Sequence, residues 1–214
     1  MIDVISLFIL LFISGFAIKG YKINKNKNYL TFSLAFSFLA LSFLFKILTN
    51  FTIYYTSLVE RDFGLFTLTY QALSKSNILI IAGFFGYFFF GLMGLMSLWR
   101  VYKQDPSRSM VFLMTYFILL TVYLGMIDYF IFHLTSLIFL IFITATYMRN
   151  YTESNSTNAK LLAYAFMVIT FSQLIFVFIG VNSLFYVTAE IVQLIGYLML
   201  FGVFFRIIKN GKKK

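Results

Sequence analysis

Cysteine is absent from this chain of 214 residues, and proline, histidine and tryptophan occur once each. Without cysteine there are no disulfides, no thiolate metal sites and no thiol nucleophile. A single histidine, His133, excludes bis-histidine haem and any zinc site built on several histidines. A serine hydrolase needs an oriented Ser–His pair, and His133 has only weak partners such as Ser136, one turn away on the same expected helix. The one proline, Pro106, falls in a short loop, so proline kinks no apolar segment. No P-loop or dinucleotide fingerprint occurs. Intramembrane catalysis by paired carboxylates would need a second acid near Glu190, for which the sequence offers only Asp128. The chain is therefore not expected to be an enzyme, and no cofactor or metal is expected. Charge is scarce too: 11% of residues are charged, against about 25% in a soluble domain.

What is there is apolar. The chain is 61% hydrophobic with 30 phenylalanines, and its mean hydropathy is +0.91. One soluble core of this size cannot hide so much apolar surface, so lipid must solvate most of it. Seven apolar segments of spanning length fall near 3–19, 29–49, 77–99, 109–125, 127–148, 160–181 and 183–208. The expected fold is an all-α polytopic bundle of seven transmembrane helices, in one domain covering 1–214, multi-pass in the cell membrane.

The net charge of +10 is distributed as a topology signal and does not suggest nucleic acid. With the amino terminus outside, the inner loops and tail hold 14 of the 17 basic residues. Lys46, Arg61 and Lys75 lie outside, together with five of the seven acids, Asp3, Glu60, Asp62, Asp128 and Glu190. This asymmetry predicts an outer amino terminus and an inner carboxyl terminus. In the long outer loop 50–77, polar and apolar residues alternate on both sides of ERDFG. That pattern predicts a small β-hairpin cap with its turn at 60–64, with an interfacial helix as the competing reading.

An internal repeat appears at an offset of 130 residues. SLFILLFI at 6–13 meets SLIFLIFI at 136–143, and 11 of the 39 positions from 6 to 44 are identical without a gap. Gly86-Tyr87 and the following RVYK in the third segment are echoed by Gly196-Tyr197 and RIIK in the seventh. The reading is two parallel three-helix repeats, about 3–103 and 127–209, joined by a connector helix at 109–125. Over the whole chain this plan resembles the topology of microbial rhodopsins and of seven-helix sensory modules in bacterial and archaeal signalling proteins. A retinal protein needs a Schiff-base lysine in the middle of the seventh span, where this chain has Glu190 and Gln193. A retinal pigment is therefore excluded. Sensors of that kind need an output, and the tail after Arg206 is short, so the output would be a separate inner protein partner.

Polar residues inside the spans are the candidates for function. Tyr186, Glu190, Gln193 and Tyr197 are spaced four, three and four apart, which lines one helical face. Tyr129, His133 and Ser136 do the same on the fifth span, with Asp128 at its outer end. His133 and Glu190 both sit roughly 10 Å below the outer boundary. An ionised group in mid-membrane costs about 2.5–3.5 kcal/mol on insertion scales, so such residues face the bundle interior or water. Two readings stand for Glu190: a ligand or proton site, or an interhelical clasp to His133 or a tyrosine. Lys46 is expected to snorkel to the outer surface. Gly83, Gly86, Gly91 and Gly94 on the third span are expected to permit close helix packing.

The leading functional expectation is a receptor-like or sensory module. It would bind a small ligand, ion or proton near Glu190 and His133 and signal to an inner partner. A small-solute or proton-coupled transporter working by alternating access is the alternative, and a ligand-free assembly subunit is a third. The absence of intramembrane proline leans against the transporter, whose sites usually use proline or glycine to break helices. Beyond these, the only partner expected is the lipid bilayer.

Overall fold

The computed structural model describes residues 2–62, 66–101, 108–182 and 184–211, with side chains other than those of 24, 54–77, 208 and 210–211. Its helices are α1 (Ile2–Asn24), α2 (Lys27–Asp62), α3 (Phe66–Arg100), α4 (Arg108–Gly125), α5 (Tyr129–Ser154), α6 (Thr157–Val177) and α7 (Leu184–Gly211). Each contains a stretch long and apolar enough to cross a membrane, and these seven stretches coincide closely with the expected spans. The sixth is shorter than expected: its helix stops at Val177, and residues 178–181 form the turn into α7.

The strands of the hairpin expected at 50–77 are not found, and part of its expected turn, 63–64, lies outside the described residues. Among the described residues there is no strand; α2 and α3 continue as helix through 50–62 and 66–77. They reach 36 and 35 residues, or about 54 and 52 Å at 1.5 Å per residue, well beyond a hydrocarbon core of about 30 Å. Extending a helix that already exists needs no new nucleus. An isolated two-stranded hairpin is marginal in water. The local alternation pattern was weaker than that difference.

The helices close into a ring. α1 packs between α2 and α7, α2 against α3, α3 against α5, α5 against α6, and α6 against α7. α4 stands outside the ring, touching α3 and α5. Leu10, Ile13, Phe36, Phe166 and Leu200 are fully buried at the centre, and Phe36, Phe32 and Tyr147 meet Phe204 or one another ring to ring. A second cluster joins Phe88 and Leu92 of α3, Ile118 and Val122 of α4 and Phe132 of α5. The outer surface carries large apolar side chains, such as Phe8, Phe12, Phe112 and Phe142, as a lipid-facing surface must.

The expected glycine packing is present. A Cβ on Gly83, Gly86, Gly91 or Gly94 would collide with or crowd Thr49, Phe45, Ser42 and Leu39 respectively, all on α2. At Gly94 the backbone carbonyl of Ala35 is also only 3.1 Å away, so the neighbour cannot simply rotate aside. Close approach lets α2 and α3 gain dispersion contacts, the main attraction available to helices in lipid.

Two chain reversals share one form. Lys25 and Asn155 adopt the left-handed conformation, with φ of 54° and 49°. Each donates its backbone N–H to the carbonyl of a tyrosine four residues earlier, Tyr21 and Tyr151, at 2.8 and 2.9 Å. Each thereby satisfies an orphan carbonyl at a helix end. Ser156 then caps α6 by accepting from the Ala159 N–H.

Candidate functional site

α1 and α7 both begin at the same end of the bundle, and α2 brings Lys46 to that end from the opposite direction. Lys46 Nζ donates to Asp3 Oδ1 and to Glu190 Oε1, both at 2.7 Å. The three side chains are 6%, 15% and 12% exposed. Three helices are thus tied by one ammonium and two carboxylates. A buried cation needs such partners, because removing it from water uncompensated costs several kcal/mol. Three aromatic rings add to its surroundings: Tyr186 at 5.2 Å, Phe43 at 5.7 Å and Tyr87 at 6.0 Å from Nζ to the ring centroid.

This corrects three expectations. Lys46 does not snorkel outward, because two acids inside the bundle satisfy its charge better than a stretched side chain could. Glu190 has Lys46 as its ionic partner and the Tyr186 hydroxyl as a further hydrogen-bond partner, so the clasp reaches a tyrosine but not His133. The second acid beside Glu190 is Asp3, whereas Asp128 is exposed and serves as the N-cap of α5, accepting from the Phe130 N–H at 3.0 Å.

Phe43 and Tyr87 separate this ionic layer from a small cavity of about 40 Å³ nearer the bundle centre. That exceeds the roughly 10–15 Å³ needed by one water. Its polar lining comes from Ser42, Ser136, Gln173, Gln193 and Tyr197. Ser42 Oγ donates to the Tyr87 carbonyl at 2.7 Å, and Gln193 Nε2 donates to Tyr197 Oη at 3.2 Å. Ser136 Oγ is buried without a hydrogen-bond partner. His133 lies close by, 1% exposed, with Nδ1 at 2.9 Å from Gln173 Oε1 and its ring stacked on Phe176. The other ring nitrogen, Nε2, is buried without a hydrogen-bond partner.

The predicted face of α7 therefore serves two levels. Tyr186 and Glu190 belong to the ionic layer, and Gln193 and Tyr197 to the cavity below it. Asp3 escaped the sequence reading as a site residue, although carrying the repeat offset three residues further back from Ser6 places it opposite His133. Among the described residues no three or more histidines and acids gather as a metal would require. Compared with family profiles, curated proteins and solved structures, the chain matches none of them.

Proposed function

We infer that this protein is a receptor-like seven-helix membrane module that takes a small cation in the layer formed by Asp3, Lys46 and Glu190. The observation that carries the reading is the charge count of a buried site. Two carboxylates face one ammonium, so one negative charge lacks a balancing partner among the described residues. A cation, a proton included, is the ligand that completes it, and Tyr186, Phe43 and Tyr87 offer ring faces for one. Its arrival would draw one carboxylate away from Lys46 and loosen α1 or α7 from α2. That helix shift is what a separate partner at the basic end would read. Orientation follows the basic residues, which puts the ionic layer outside and the Lys- and Arg-rich loops inside. On the inner side of the cavity the bundle is packed solid around Phe36, Tyr147, Phe166 and Phe204. This favours entry from one face.

The reading treats the chain as two parallel repeats with α4 as connector. Its support is positional. The left-handed residues Lys25 and Asn155 lie 130 apart, as do the tyrosines that accept from them. Buried pairs recur at the same offset: Ser6 with Ser136, Leu10 with Leu140, Phe36 with Phe166, and Ser42 with Ser172. Asp3 and Lys46 pair in the first half, while their counterparts His133 and Phe176 stack in the second. The transporter remains a second reading for one reason: the cavity is lined by both halves, where parallel-repeat transporters hold their substrates.

The test is the unfolding midpoint of purified protein, measured against rising concentrations of sodium, potassium and methylammonium. A cation that binds the folded state at a hundred times its Kd stabilises it by about 2.7 kcal/mol. The shift should appear for one of these ions and vanish in Glu190→Gln. An equal shift in the variant, or none in the wild type with any of the ions, counts against the cation site.

A further inference from the structure

α4 presents two contrasting faces. Phe112 and Tyr123 on one are 78% and 67% exposed. The opposite face carries Met110, Met114, Phe117 and Thr121, spaced four, three and four residues apart, which is one stripe of a helix. Thr135, Ile138, Phe139 and Phe142 form a matching stripe on α5. In a tight helical hairpin the two stripes would interdigitate. Here they line a cavity of about 630 Å³ together with Trp99 from the end of α3. α4 meets its neighbours closely beside the turn, where Gly125 adjoins Phe88 and Phe132.

Packed protein does not leave a gap of this size unfilled, and an apolar gap does not hold water. The exposed Phe117, Ile138 and Phe142 open it toward the lipid face. From Met110 to Thr121 it runs about 16 Å at 1.5 Å per residue, close to half of a hydrocarbon core of about 30 Å, the depth of one leaflet. At its end two exposed arginines flank the lining: Arg100 follows Trp99, and Arg108 precedes Met110 by two positions. We propose that this groove binds an anionic phospholipid, with one acyl tail between α4 and α5 and the headgroup phosphate at Arg100 and Arg108. Guanidinium groups suit a phosphate through paired charge-assisted hydrogen bonds. The flexible thioethers of Met110 and Met114 suit a tail that has no fixed shape. The site lies at the opposite end of the bundle from Lys46 and does not depend on the cation reading.

Trp99 is the chain's one tryptophan, so its fluorescence reports the groove alone. The protein is reconstituted in phosphatidylcholine vesicles containing an equal fraction of either phosphatidylglycerol or phosphatidylcholine with brominated tails. Brominated phosphatidylglycerol should quench Trp99 more strongly, and each of Arg100→Gln and Arg108→Gln should lower that preference about fivefold. Thr135→Phe, which fills the groove from a half-buried position in its lining, should reduce quenching by both lipids. Equal quenching by the two lipids, unchanged in the arginine variants, would overturn the headgroup site. Absence of quenching by either would overturn the tail site, since the groove would then be closed or covered by protein.

Discussion

Neutralising Asp3 and Glu190 singly and together should give strongly non-additive losses of stability. In Asp3→Asn the Lys46 ammonium still has Glu190 at 2.7 Å, and in Glu190→Gln it still has Asp3. Each single variant keeps a buried pair of balanced charge and an amide able to accept a hydrogen bond, so each should cost about 1 kcal/mol. The double variant leaves an ammonium whose side chain is only 6% exposed with no counter-charge among the described residues. Breaking a buried pair in this way costs about 3–5 kcal/mol. The excess over the sum of the singles is therefore about 1–3 kcal/mol, within the range of coupled residues. Lys46→Met alone should be as damaging as the double variant, because it leaves two carboxylates facing each other. The triple variant, Lys46→Met with both acids neutralised, should recover most of the loss, as apolar replacement of a whole buried ionic cluster often does. The assay is equilibrium unfolding in mixed micelles of rising SDS fraction, followed by helical circular dichroism. Losses that add within about 0.5 kcal/mol, or a triple variant no better than the double, would refute the claim that one buried charge cluster ties α1, α2 and α7.

Three further outcomes follow from the packing. Gly94→Leu should cost about 1–3 kcal/mol in the same assay, because Leu39 and the Ala35 carbonyl leave no room; Gly15→Ala, with nothing within 4 Å of a new Cβ, should be neutral or slightly stabilising. Asp128→Ala should lose about 1 kcal/mol as a lost N-cap and leave the cation-dependent shift in midpoint intact. Asn155→Gly should be tolerated, whereas Asn155→Val should destabilise the α5–α6 turn by at least 1 kcal/mol, since a β-branched residue resists φ near 49°.

Much of this architecture was legible because it rests on one-dimensional signals. Spans follow from apolar length, and the glycine face of α3 from its small residues. The grouping of Tyr186, Glu190, Gln193 and Tyr197 follows from helical spacing, though they divide between two levels of the site. What was not legible depends on adjacency. Nothing in the local sequence says that α1 and α7 flank α2, and without that Asp3 reads as a terminal acid and Lys46 as an outward-facing lysine. The stretch 50–77 failed for a different reason: alternation over a short run competes poorly with the extension of two helices already formed. The wide gap between α4 and α5 was likewise invisible, since both stripes look like ordinary packing faces.

The most direct test of a site open to one face uses the absence of cysteine. Single cysteines at Tyr186, Gln193 and Tyr197 are introduced in sealed vesicles of known orientation, and a membrane-impermeant thiol reagent is applied to each side in turn. The receptor-like account predicts labelling at 186 and 193 from the side of the α1 amino terminus only, increased by the cation that shifts the unfolding midpoint. Labelling of any one of these positions from both sides would contradict it and make alternating access the better account.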